Sequence, residues 1–102
     1  MTLEELATKV IETFQDPFVE SEFSRRKNVF VPILQRTTWV PTPEDVVVQK
    51  LRWGRNKDLD DARDVLAVQG IETLDRDYIE RWCRQHGTMD RLLAAIELIP
   101  PL

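Results

Sequence analysis

The sequence predicts a helix-dominated α+β protein, and three observations carry that prediction. Apolar residues recur at helical spacing near the start (Leu3, Leu6, Ala7, Val10, Ile11, Phe14). "NVFVPI" and "TTWV" then concentrate β-branched and aromatic residues, as strands do. From Thr42 onward, segments with helix start signals are separated by Gly54, Gly70 and Gly87. The expected architecture is an N-terminal helix, one two-stranded β-hairpin and a bundle of about four C-terminal helices. With 102 residues, the chain reads as a single domain, 1–102, with one modest core.

The elements follow in order. Thr2 and Glu5 have the spacing of a capping box for a helix over 3–15. "DPF" at 16–18 breaks it, because proline disfavours helix in the residue before it. "FVESEFSRRK" suits a short second helix. Strands are expected at 28–33 and 37–40 across a turn at Leu34–Arg36, and Pro32 suggests an edge or an early end. Thr42 is placed as an N-cap, with Pro43 at the first helical position and Glu44 and Asp45 at the positive helix start. Gly54 ends that helix. The next runs from about Lys57 to Gln69. Asp75 caps a third that stops at Gly87, and Thr88 caps a fourth that Pro100 and Pro101 end.

Composition narrows the function classes. Hydrophobic residues make up 42% and charged residues 31%, the balance of a globular protein. The formal net charge of −4 argues against recruitment of nucleic acid or an anionic membrane by bulk electrostatics. A lone cysteine, Cys83, makes no internal disulfide, so a reducing, cytoplasmic setting is expected. No apolar run approaches a membrane span, and "MTLEELATKV" does not read as a secretory signal.

One charged residue stands among apolar neighbours. On a helical wheel starting at Val46, Trp53, Val47 and Leu51 define an arc with Lys50 in its middle. A lysine there either snorkels out along its methylenes or meets a partner. On the following helix Leu59, Ala62, Val65 and Leu66 form the apolar face. Asp61 sits on its border and Asp58 at the helix start, while Asp60 and Asp64 point away. Asp61 is therefore the first candidate partner for Lys50 and Asp58 the second. Capping explains Asp58, and a solvated face explains Asp60 and Asp64.

"WVPTPEDVVVQKLRWGRNKDLDDARDVLAVQG" resembles the C-terminal half of bacterial nucleotidyltransferase-fold proteins, the group that includes the AbiEii-type toxins. "DPFVESEFSRRKNVFV" resembles the segment before it in one branch, and "LDRDYIERWCRQHGTMDRLLAAIELIP" the helical tail. The resemblance implies that Lys50 lies near nucleotide phosphates, that Asp61 supports it, and that Arg55 adds to the basic side of the pocket. Asp58 and Asp64 are secondary candidates. The family's Gly-Ser and Asp-x-Asp motifs are missing, and so is its third acidic strand position: no glycine precedes Gly54, and the helical N-terminal segment stands where that strand would be. Those carboxylates hold the divalent metal that nucleotidyl transfer needs. The chain is thus expected to be inactive alone and to hold no metal, with Mg²⁺ and a nucleoside triphosphate entering only if the missing half is supplied. "DRD" at Asp75–Asp77 has the pair's spacing but sits at a helix start.

The remaining features read more simply as structure. His86 sits at a helix end, and Cys83 shares the apolar stripe of Tyr78, Ile79 and Trp82. Trp39, Trp53 and Trp82 are expected to anchor cores. The basic run "SRRK", 24–27, is a solvated face or a contact for a phosphate or acidic partner. Two function classes follow: a nucleotidyltransferase remnant or split half, and a non-catalytic interaction module. The latter carries a disfavoured helix-turn-helix DNA-binding variant in "DYIERWCRQHGTMDRLLAAIEL". The strand edge of "NVFVPIL" suggests a homodimer or a partner chain.

Overall fold

The computed structural model describes residues 2–6 and 16–99. It is α+β and helix-dominated, and among the described residues it has one two-stranded antiparallel hairpin. Two compact units divide the chain, Met1–Thr42 and Pro43–Leu102.

In the first unit residues 3–6 are helical, and the Glu5 N–H donates to Thr2 Oγ1 at 3.1 Å. The rest of the helix expected over 3–15 lies outside the described residues. Helix α1 (Pro17–Arg25) is capped by Asp16, whose carboxylate accepts from the N–H groups of Phe18 and Val19 at 2.9 and 3.4 Å. Pro17 takes a first-turn position, where its missing N–H costs nothing. "DPF" therefore starts a helix, and the break expected just before it lies outside the described residues.

Strands β1 (Lys27–Val31) and β2 (Arg36–Val40) pair antiparallel, with Asn28 opposite Trp39 and Phe30 opposite Thr37. The expected strand 28–33 stops two residues early because Pro32 opens a 3₁₀ turn, Pro32–Leu34. Gln35 completes the reversal in the left-handed region at φ 51°. Alternation places Phe30 and Trp39 on one sheet face.

Among the described residues the second unit has four helices: α2 (Pro43–Trp53), α3 (Asn56–Gln69), α4 (Arg76–His86) and α5 (Met89–Glu97). Helix α2 packs on α3 and α4, and α5 closes against both of those. Val47, Val48, Leu51, Ala62, Leu66, Ile79, Trp82, Cys83 and Leu92 form the buried core. Gly54, at φ 71°, lets the chain leave α2 and turn back as α3. Arg91 closes that helix end: its Nη1 donates to the Leu51 carbonyl at 2.7 Å and lies 3.4 Å from that of Arg52. Asp75 caps α4 as expected, accepting from the Tyr78 N–H at 3.1 Å, and Gly87 ends it in the left-handed region.

Three expectations need correction: the Thr88 cap, the core tryptophans and the arc around Lys50. Thr88 precedes α5 without a side-chain cap; its hydroxyl donates to the Cys83 carbonyl at 3.5 Å, and its own N–H to the same oxygen at 2.8 Å. Asp45 lies in the first turn of α2 as expected, and it is in addition fully buried and accepts from the Tyr78 hydroxyl at 2.5 Å. Of the three tryptophans, Trp82 anchors the core, but Trp39 and Trp53 are each 54% exposed. The buried arc of α2 runs through Val47, Leu51 and Val48, so Lys50 lies at its edge and Trp53 beyond it.

Candidate functional site

The candidate site is built on the return from α2 to α3. Lys50 lies one turn before Trp53, and Asp58 and Asp61 lie in the first turns of α3, three residues apart and so on one face. The short connection brings these turns together. Lys50 Nζ donates to Asp61 Oδ2 at 3.0 Å and stands 3.7 Å from Asp58 Oδ1. The two carboxylates picked out by the helical wheel are the two that the ammonium meets.

Asp58 is the hub of this cluster. Arg55 donates to it three times: Nε to Oδ2 at 2.6 Å, Nη2 to Oδ1 at 3.2 Å, and its backbone N–H to Oδ2 at 3.3 Å. The last of these satisfies the N–H of the N-cap residue from the third helical position, which accounts for an aspartate there. The hydrogen bonds from the Arg55 side chain hold the Asp58 carboxyl below its ordinary range; burial opposes them, and the charges of Arg55 and Lys50 add to them. The same hydrogen bond raises Arg55. Arg55 is thus paired with Asp58 while most of its side chain stays exposed.

The cluster sits at the rim of the core. The Asp58 side chain is closed off from solvent, whereas Lys50 and Asp61 are 24% and 37% exposed. Two cations face two carboxylates, so the group balances its own charge. An ammonium has three donors. Asp61 takes one at hydrogen-bond distance; Asp58, at 3.7 Å, attracts without accepting a good hydrogen bond. Capacity remains for an anionic oxygen approaching from the exposed side.

The other residues singled out by the sequence fall elsewhere. Asp60 pairs with Arg63 at 2.9 Å along α3, and Asp64 is exposed. Cys83 is buried, and burial pushes its thiol up. The His86 ring packs against Trp82 with centroids 5.7 Å apart. Within "SRRK", the Arg26 guanidinium covers two rings, 3.7 Å from the Phe23 centroid and 4.6 Å from that of Trp39. Among the described residues no group of three His, Cys, Asp or Glu side chains is arranged to hold a metal ion.

Of the two misplaced tryptophans, Trp39 and Trp53, the second belongs to this cluster. Its ring centroid lies 5.4 Å from Lys50 Nζ and 5.9 Å from the Arg55 guanidinium carbon. The signal was present in the spacing, since residues three apart on a helix are neighbours.

No protein-family model, curated protein or solved structure matches the chain. Among the described residues no helix is long and apolar enough to cross a membrane.

Proposed function

We propose that this chain is a nucleotidyltransferase-related protein, inactive alone, that contributes Lys50 as a phosphate-contacting cation to a site completed by a partner chain. The partner supplies the metal-binding acids, so Mg²⁺ is held and nucleotide is transferred only in the completed site, while the chain alone keeps a residual affinity for the phosphates through Lys50. The carrying observation is the ammonium of Lys50, held 3.0 Å from Asp61 and 3.7 Å from Asp58 at a partly open rim. A compact ammonium is a suitable point charge for a triphosphate, and a carboxylate that fixes it lowers the cost of ordering a long side chain. Arg55 already neutralises Asp58, so Lys50 is not needed for that purpose alone. The kinship with AbiEii-type toxins and a cytoplasmic setting belong to the same reading.

Two assays test it. With Mg²⁺ or Mn²⁺ and labelled nucleoside triphosphates, the chain alone should transfer no nucleotide. Measurable transfer that Lys50→Ala abolishes would show a complete enzyme. In calorimetry with tripolyphosphate, Lys50→Met should weaken binding by roughly fivefold or more, the scale of one charge-assisted contact. Equal affinity in both proteins would remove Lys50 from any phosphate site.

A second reading, a non-catalytic protein-interaction module, is favoured by the hairpin unit. Val29, Phe30, Ile33, Leu34 and Trp39 are between 42% and 90% exposed there. Unpaired strand edges invite pairing with another chain, so a homodimer or a partner docked on the hairpin fits either reading. Light scattering at micromolar concentration showing only monomer, with no partner in a pull-down, would count against both forms of docking. The helix-turn-helix reading of α4 and α5 stays disfavoured, because Asp75, Asp77 and Asp90 are exposed on those helices.

A further inference from the structure

Trp53 departs from what its sequence position promised. It stands at the end of α2, large and apolar, yet 54% of its surface is open. Its ring lies within 6 Å of two cations, Lys50 at 5.4 Å and Arg55 at 5.9 Å. Both cations lie obliquely over the indole and are ion-paired to α3, Lys50 through Asp61 and Arg55 through Asp58. A planar, exposed ring next to an ion-paired ammonium offers two kinds of contact at once: a stacking surface and an anion contact a few ångströms away.

A nucleoside triphosphate carries the matching pair, a flat base and a polyanionic tail. We propose that Trp53 is a stacking platform for the base of a nucleoside phosphate whose phosphates meet Lys50. This rests on the reading of Lys50 given above and adds the residue that engages the non-phosphate part of the ligand. Every base has a π-face, so stacking tolerates all four bases, with purines favoured by their larger overlap. Trp53 makes no bond and moves no proton; it positions the ligand and adds affinity.

The test separates the base from the phosphates. Affinities for adenosine triphosphate, guanosine triphosphate and tripolyphosphate are measured by calorimetry on the full chain without metal, alongside quenching of indole emission. The wild-type chain should bind the nucleotides roughly five- to tenfold more tightly than tripolyphosphate, the scale of one stacked base. Trp53→Leu should abolish that difference while leaving tripolyphosphate affinity unchanged, and Trp53→Phe should keep most of it. The nucleotide-induced quenching should vanish in Trp53→Leu and persist in Trp39→Leu. Because the Trp53 ring is exposed, these variants are expected to fold, and circular dichroism checks that they do. If nucleotide and tripolyphosphate bind the wild type equally, stacking is overturned and the Lys50 reading stands. If quenching follows Trp39 instead, the platform is assigned to the wrong unit. If neither ligand binds, both proposals fall.

Discussion

In the helical unit, Val47, Leu51, Leu66, Ile79, Trp82 and Leu92 are buried. In the hairpin unit, Phe18 is the buried large apolar side chain among the described residues, while Val29, Phe30, Ile33, Leu34 and Trp39 stay exposed. The two units draw on similar residue types but differ in geometry. Four amphipathic helices provide one another with facing stripes, so each apolar side chain finds a partner. A two-stranded ribbon has two faces and two edges, and a lone hairpin is marginal in water. The difference teaches that facing helical stripes bury their apolar side chains, whereas a two-stranded ribbon leaves its own exposed.

The largest expected effect lies in the helical core. Leu66 is 1% exposed, so Leu66→Ala should destabilise by about 2–5 kcal/mol in urea unfolding. A loss below about 1 kcal/mol would mean that the helical unit is as loosely packed as the hairpin. The buried polar contact comes next. Tyr78→Phe removes the hydroxyl that donates to the fully buried Asp45 and should cost about 0.5–1.5 kcal/mol. Gly54→Ala should cost about 1–3 kcal/mol, because the left-handed backbone disfavours a side chain there. The added Cβ would also overlap the Arg91 guanidinium, so the same variant should loosen the contact of Arg91 with Leu51.

Smaller effects separate rim and hairpin from core. Lys50→Met should cost only about 0–1 kcal/mol, since the ion pair with Asp61 is partly exposed. Lys50→Ala should cost more, because the lysine stem also covers apolar surface. The sign of the pH dependence follows from Asp58, whose folded carboxyl is depressed, first by the Arg55 hydrogen bonds. Its contribution is present above the ordinary carboxylate range, about pH 4, and is lost as the pH falls through the depressed value. Asp58→Asn should therefore flatten acid unfolding below about pH 4 and leave the profile above it unchanged in shape. Smallest of all, Phe30→Ser on the hairpin should change stability by less than about 0.5 kcal/mol. If it destabilises as much as Leu66→Ala, Phe30 is part of a core.

The comparison also explains what was legible in the sequence. The helices were readable because stripes, caps and glycines all pointed to the same boundaries, as at Asp75 and Gly87. The Lys50–Asp61 contact was readable because a short turn fixes which faces of α2 and α3 meet. Trp53 was not, because a wheel treats every large apolar residue as a vote for the core and so draws the arc too far round. The true arc is set by neighbouring helices, which a single-helix wheel does not contain. Asp58 was legible as a cap, but its place as hub depends on the Arg55 side chain folding back, which spacing does not encode. In the hairpin, composition revealed the strands, and the local geometry of Pro32 and Gln35 decided where the first one stopped.

In the proposed function, Lys50 is an anion-contacting residue held ready by α3. The most direct measurement is nitrogen-15 NMR of the chain during titration with tripolyphosphate, following the Lys50 side-chain ammonium and the backbone amides. Saturable shifts should centre on Lys50, Trp53, Arg55 and Asp61, and Lys50→Met should abolish them while leaving the rest of the spectrum in place. Shifts scattered over unrelated surface lysines, or a Lys50 signal that does not move while binding saturates elsewhere, would contradict the claim and leave the cluster as a rim ion pair of the helical core.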